Sequence, residues 1–325
     1  MSSGAVCPAT LNGAATPYGG RTFIILNPYA GQEGPGRLRR RIGGAFAARS
    51  APFDLEETRA PGHATELARE AARLGYRAIC VVGGDGTLAE AATGLVGSTT
   101  PLALIPRGTA NQVARNLGIP TALEAAVETA IHGHPTPMDL GQIGGRAFTL
   151  AAGAGFDAAV MAAATRPLKE RWGPGAYLYA ALKAAPGAAG ANFVITADGE
   201  RLEVRAVSVM IANVGALFAN PLPYALPLVP EPKGCWRDGV LDVIVIAPKN
   251  LTQFASVLWR AARRRFGGDD RLIHFQARDV LLETDAPVAV QIDGDAAGHT
   301  PIRASVVHRG IRILTPSAPS ERGEL

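Results

Sequence analysis

Three short loops hold most of the residues that could do chemistry: Asn27-Pro-Tyr-Ala-Gly31, Gly83-Gly-Asp-Gly-Thr87 and Pro106-Arg-Gly-Thr-Ala-Asn111. Each follows a short apolar run. Glycines let a backbone turn sharply and approach a ligand closely. Exposed amide N–H groups beside helix N-termini favour anions such as phosphates. Asp85 is the anomaly, a carboxylate inside a phosphate-type loop. A charge there suits a ligand that carries a metal or presents a hydroxyl to be activated. One such loop is as readily a tight turn that needs glycine for its geometry, but three on one sheet edge, one of them bearing an acid, point to phosphate binding.

The elements that must position these loops are βα units. Phe23-Ile-Ile-Leu26, Ile79-Cys-Val-Val82 and Leu102-Ala-Leu-Ile105 read as strands buried on both faces. Leu38, Ile42 and Phe46 form one helix stripe, and Ala64, Leu67, Ala68 and Ala71 another. Phe53 and Leu55 alternate into Thr58 as a further strand. Repeated units of this length predict an α/β doubly wound parallel sheet, with ligands at the carboxyl ends of its strands. After about Met138 the texture changes. Asp198-Gly199 between two alternating runs is a hairpin signal. Strand-like runs follow at Val207–Ile211, Leu241–Ile246, Leu272–Phe275, Val280–Glu283, Val288–Ile292 and Ala304–Val307, broken by helices expected over Tyr177–Ala185 and Leu251–Arg265. That pattern predicts a mostly antiparallel β-sandwich. The chain therefore divides into a flexible tail (1–20), an α/β domain (21–137), a β-sandwich domain (138–310) and a segment (311–325) that could return to the first domain.

Composition sets outer limits. The chain has 325 residues, 47% hydrophobic and 18% charged, with a net charge of +4 carried almost wholly by arginine. That excess is too small to argue for nucleic acid, and no aromatic–basic interleaving accompanies it. Arg37, Arg39, Arg40 and Arg41, and then Arg260, Arg263, Arg264 and Arg265, could face anionic lipid head groups or simply be solvated helix faces. Cys7, Cys80 and Cys235 lack disulfide or zinc spacing and fit a reducing cytosol. No signal-peptide pattern opens the chain. The most apolar window, Ala147 to Ala164, contains Asp157 and reads as buried strand and helix. The expectation is a cytoplasmic protein, peripherally membrane-associated, with a homodimer allowed for.

In order and spacing the three loops resemble the signatures of the diacylglycerol kinase catalytic-domain family, which includes bacterial soluble lipid kinases and the diacylglycerol, sphingosine and ceramide kinases. The likeness covers about residues 21–315, extended by Asp238-Gly-Val-Leu-Asp242 and Ile292-Asp-Gly-Asp295. NAD kinases share the Gly-Gly-Asp-Gly-Thr loop but not the others. The resemblance implies ATP-dependent phosphorylation of a lipid hydroxyl with Mg2+, as in phospholipid biosynthesis. Gly83, Gly84, Asp85, Gly86, Thr87 and Gly108 would hold nucleotide phosphates, Thr58 and Thr109 would add hydroxyl contacts, and Asn27 would shape the pocket. Asp85 would act through magnesium or by orienting the acceptor hydroxyl. A second, structural magnesium would be held by the Asp238 carboxylate with the carbonyls of Cys235 and Val240; alone, Asp238-Gly239 reads equally as a turn.

Three departures from the family pattern matter. Asp295 stands where the family has a glutamate assigned as general base, about 1.5 Å shorter; without the resemblance, Asp293-Gly294 reads as a hairpin turn with Asp295 on its solvated flank. Gln112 stands where an aspartate is frequent. Arg107 replaces a common apolar residue and could reach a phosphate or stay solvated. Elsewhere, His63 reads as a capping or surface residue, Glu90 as an organiser of the Asp85 loop, Trp172 and Tyr177 as core, and Pro221–Pro230 as part of a lipid mouth or an ordered surface loop. The rival functions are an NAD kinase-like soluble-substrate kinase and a catalytically quiet nucleotide or lipid sensor.

Overall fold

The computed structural model describes residues 18–31, 33–155, 190–218, 225–227, 229, 234–248, 253 and 270–316. The first half alternates strand and helix: β1 (Thr22–Leu26), α1 (Pro35–Ala47), β2 (Phe53–Glu57), α2 (His63–Leu74), β3 (Ala78–Gly83), α3 (Asp85–Leu95), β4 (Leu102–Pro106), then the short α4 (Gln112–Asn116) and α5 (Leu123–His132). β1 pairs in parallel with β2 and β3, and β3 with β4. All four strands therefore end on one edge, where the three loops begin. Successive side chains on a strand face opposite sides, and both sides are buried. Ile25, Val81 and Leu104 join a core with Ala64, Ala68, Ala71 and Leu88 of α2 and α3. Ile24, Leu26, Cys80 and Val82 join another with Leu38, Ile42 and Phe46 of α1 and Leu123 and Val127 of α5. The apolar runs of β1, β3 and β4 are continuous for that reason.

The second half is strand upon strand. It begins with β5 (His134–Ile143), β6 (Arg146–Phe148), β7 (Ala151–Gly155), β8 (Ala191–Ala197), β9 (Glu200–Ala206), β10 (Ser208–Ala212), β11 (Ala216–Phe218) and β12 (Ala225–Pro227). It closes with β13 (Leu241–Ile246), β14 (Leu272–Ala277), β15 (Asp279–Thr284), β16 (Ala289–Ile292), β17 (Asp295–His299) and β18 (Ile302–Thr315). One antiparallel sheet runs β14-β13-β10-β7-β16-β17. Facing it, β18, β15, β8 and β9 pair antiparallel in turn. Phe193, Ile195, Val280 and Leu282 from this layer meet Val209, Ile211, Val243 and Val290 from the other in one core. The turn between β8 and β9 places Asp198 at φ 48° and Gly199 at φ 93°, as the hairpin signal requires.

β18 belongs to both halves. Its Ala304 pairs with Val280 of β15, whereas its Ile313 pairs in parallel with Leu102 of β4. The pairing with β5 shifts register between Val307 and Ile311, around Arg309 at φ 51°. The strand expected at Ala304–Val307 is thus part of a much longer one. Arg309-Gly310 forms a bulge within it. β5 carries Pro135 and Pro137, which argue against a central strand; over that stretch it has β18 as its neighbour, while β6 joins only at Gly141–Ile143. The helices expected over Tyr177–Ala185 and Leu251–Arg265, Trp172, the Arg260–Arg265 cluster and most of Pro221–Pro230 lie outside the described residues.

Candidate active site

The three loops interlock. Gly84 and Gly108 touch through their backbones: a Cβ built on Gly108 would lie 2.6 Å from the Gly84 Cα, and one on Gly84 3.1 Å from the Gly108 Cα. Neither position admits a side chain without parting the loops. The Arg107 N–H donates to the Gly83 carbonyl (2.8 Å). Asn111, at φ 48°, accepts from the Gly108 N–H through Oδ1 (2.8 Å) and donates to the Gly108 carbonyl through Nδ2 (2.9 Å). The first loop is tied in by Asn27, whose Nδ2 donates to the Thr87 hydroxyl (2.8 Å) and whose N–H donates to the Val82 carbonyl. Thr58 ends β2 with its N–H on the Leu26 carbonyl. Gly86 and Thr109 are exposed at this edge, and Thr87 is buried.

Asp85 occupies the first turn of α3, with Gly84 as its N-cap. Its two oxygens accept the backbone N–H groups of Gln112 (3.0 Å) and Val113 (3.0 Å), the start of α4. One carboxylate thus sits between two helix N-termini, both of which favour negative charge. Burial nevertheless raises its pKa above the ordinary carboxylate value, against those two N–H groups and Arg115, which lower it. The arrangement locks the loop after β3 to the loop after β4 and holds Asp85 in one orientation.

Two cavities flank the first loop. A groove of about 690 Å³ is lined by Pro28, Tyr29, Thr58, Arg59, Leu55 and Arg39, with Glu56 and Glu57. Tyr29 is 71% exposed there. A smaller cavity of about 230 Å³ is lined by Ala30, Gly31, Glu33, Arg107, Gly108 and Asn111, with Leu38, Pro106 and Thr121.

The second acid lies on the β16–β17 hairpin. Asp293 (φ 50°) and Gly294 (φ 89°) make the turn, and Asp295 opens β17. Asp295 is exposed, and its carboxylate takes Arg146 Nη2 at 2.9 Å. Asp293 carries the structure: its carboxylate accepts from the N–H groups of Thr149, Leu150 and Ala151 and from the Thr149 hydroxyl, at 2.8–3.1 Å. Burial outweighs those four donors and pushes its pKa up to about 6. Among the described residues Asp85 and Asp295 share no hydrogen bond; each has its own partners.

Cys235, Asp238 and Val240 come together in the single 3₁₀ turn Cys235–Arg237 and the bend after it. Asp238 accepts from the Val240 N–H (3.2 Å). Its pKa is raised by burial, then by the negative charges of Asp242 and Asp139. Burial also lifts the Cys235 thiol to about 12. Among the described residues no three His, Cys, Asp or Glu side chains cluster as a metal set. A cation here would rest on one carboxylate and backbone carbonyls, and excess negative charge around Asp238 suits a hard divalent ion.

Asp139 escaped the sequence reading, and the partners of Asp242, Glu90 and His63 emerge only in the structure. Asp139 is fully buried, accepting from the Gly239 N–H (2.6 Å) and the Arg309 N–H (2.6 Å), with His308 Nδ1 at 2.9 Å. It ties the Asp238 turn to the β18 bulge. Asp242 pairs with His274 Nε2 (2.8 Å). Glu90 accepts from the Ala64 N–H at the start of α2. His63 Nδ1 accepts from the Arg59 N–H, a turn-closing role.

Residues 21–143 match the diacylglycerol kinase catalytic domain, and residues 151–315 match the YegS C-terminal NAD kinase beta sandwich-like domain. A diacylglycerol kinase of Bacillus subtilis (strain 168) is 28% identical over 307 residues, covering 93% of this chain and 98% of the relative. A diacylglycerol kinase of Staphylococcus carnosus (strain TM300) is 26% identical over 300 residues, covering 91% and 95%. A crystal structure of a candidate diacylglycerol kinase from Bacillus anthracis str. Sterne superposes with a TM-score of 0.74 at 27% identity, over 92% of this chain and 98% of that one.

Proposed function

The chain belongs to the diacylglycerol kinase catalytic-domain family, and from that premise we propose that it transfers the terminal phosphoryl group of ATP to the hydroxyl of a membrane lipid. The acceptor is of the diacylglycerol or sphingoid/ceramide type. The observation that carries this reading is the interlock of three strand-end loops through the Gly84–Gly108 contact and the Asp85 carboxylate. Phosphoryl transfer needs positioning and charge stabilisation more than covalent help, and a rigid array of amides at one sheet edge supplies both.

In this reading Gly83, Gly84, Gly86 and Gly108 present backbone N–H groups to the phosphates, Thr58 and Thr109 add hydroxyl contacts, and Asn27 and Thr87 hold the first loop against the second. Asp85 orients the reacting groups. Asp295 takes the proton of the lipid hydroxyl as its oxygen bonds to the γ-phosphorus; the bond to the bridging oxygen breaks and ADP leaves. Mg2+, when bound, neutralises phosphate charge. Asp238, with the carbonyls of Cys235 and Val240, would hold a second magnesium that stiffens the β half.

No helix among the described residues is long and apolar enough to cross a membrane. We place the protein at the cytoplasmic membrane face, where the exposed Arg37, Arg39, Arg40 and Arg41 of α1 meet anionic head groups. The test is incubation with labelled ATP and a panel of purified lipids. A labelled lipid is expected. Label passing to NAD instead, or ATP bound without transfer to any acceptor, would sink the proposal.

A further inference from the structure

We propose that Arg107 grips the terminal phosphate of bound ATP from the small cavity, on the far side of the Asn27–Gly31 loop from the nucleoside. This rests on the nucleotide reading above and goes beyond it. The sequence left Arg107 either solvated or aimed at a phosphate, and in the structure the residue is half-buried at the cavity. Its Nε and Nη2 are buried, with no hydrogen-bond partner among the described residues. Buried polar nitrogens are almost always bonded, and a buried guanidinium without an acceptor is costly. Among the described residues none accepts from Nε or Nη2, Glu33 Oε2 in the same cavity included, so a ligand entering the cavity that Arg107 lines can supply the acceptor.

Three observations identify that acceptor. First, Arg107 is built into the loop array: its N–H is held by Gly83, and the next residue makes the Gly84–Gly108 contact. Second, the cavity is about 230 Å³, below the roughly 300–1,000 Å³ of typical small-molecule pockets, whereas the groove beside Thr58 is about 690 Å³. The groove can take a nucleoside; the cavity can take a phosphate. Third, one loop borders both, with Pro28 and Tyr29 on the groove and Ala30 and Gly31 on the cavity. A nucleotide laid across that loop puts its tail on Arg107. Glu33 shares the cavity: one oxygen pairs with Arg41, and Oε2 is buried without a partner among the described residues. It requires a hydrogen donor, which a water on the phosphate, not the phosphate itself, would provide.

The test is direct binding of ATP and AMP to the full chain carrying Arg107→Leu, with thermal melting alongside. Loss of charge-assisted hydrogen bonds should weaken ATP by about 10- to 100-fold, while AMP binding moves less than about twofold. Because no described residue accepts from Arg107 Nε or Nη2, the variant should melt no lower than the parent. If ATP and AMP weaken equally, or neither changes, or the melting temperature falls, the assignment is wrong. Arg107→Met, closer in length, is read the same way if the leucine variant misfolds. Failure of the parent itself to bind ATP would instead overturn the nucleotide reading.

Discussion

The loop edge of the parallel sheet and the β16–β17 hairpin each offer an acid, and they hold it in opposite ways. At the loop edge one residue does two jobs: Asp85 is both the candidate catalytic acid and the fastener between the second and third loops. At the hairpin the jobs are separated. Asp293 fastens the turn to residues 149–151, leaving Asp295 exposed against Arg146. An acid fixed by backbone amides tolerates no change of length or charge. One standing on an independently fastened turn can vary, which is how aspartate can occupy a position where the family pattern has glutamate.

The contrast can be broken in order of effect. Asp293→Ala strips four donors of their acceptor and should cost about 3–5 kcal/mol of stability by denaturant titration; a loss under about 1 kcal/mol would mean the turn holds itself. Asp85→Asn offers an N–H₂ where one of two N–H donors needs an acceptor. We expect transfer to fall on the order of a hundredfold or more, with about 1–3 kcal/mol of stability lost, and near-parent turnover would remove Asp85 from the site. Gly108→Ala drives a methyl against the Gly84 backbone and should slow transfer by about a hundredfold through a shift near 1 Å, while Gly86→Ala, with open space around it, should not alter the fold. Asp295→Glu should change the rate by about tenfold or less, and upward if the base is merely short; a loss as deep as that of Asp85→Asn would erase the distinction between the two regions. The last effect is in pH. Asp293, raised to about 6 when folded, is protonated in the folded state and ionised in the unfolded one between its ordinary value and about 6. Stability should therefore fall as pH rises through that window, and Asp293→Asn should flatten the slope.

What could be read in the sequence follows from the range of each interaction. The βα units, the Asp198-Gly199 hairpin and the glycine loops are written in local periods and turn chemistry, and each lies where its pattern predicts. Asp293 was read only as a turn residue because its partners lie 142–144 positions earlier in the chain. Asp139 was invisible for the same reason, its partners lying 100 and 170 residues away. Arg107 was noticed as a departure, but the cavity it lines is shared with Ala30, Gly31, Glu33 and Leu38, some 70 residues earlier in the chain, which no local pattern encodes. Glu90, read as an organiser of the Asp85 loop, accepts from the Ala64 N–H at the start of α2, a contact 26 positions away in the chain.

The path of β18 has a consequence for biosynthesis. The parallel sheet that begins at Thr22 acquires its strand beside β4 only when Ile313 arrives, after the whole sandwich has been made. As the chain leaves the ribosome, the N-terminal half must wait with Leu102 uncovered on that side, and a stop codon near Val307 would damage a region whose own coding sequence is intact.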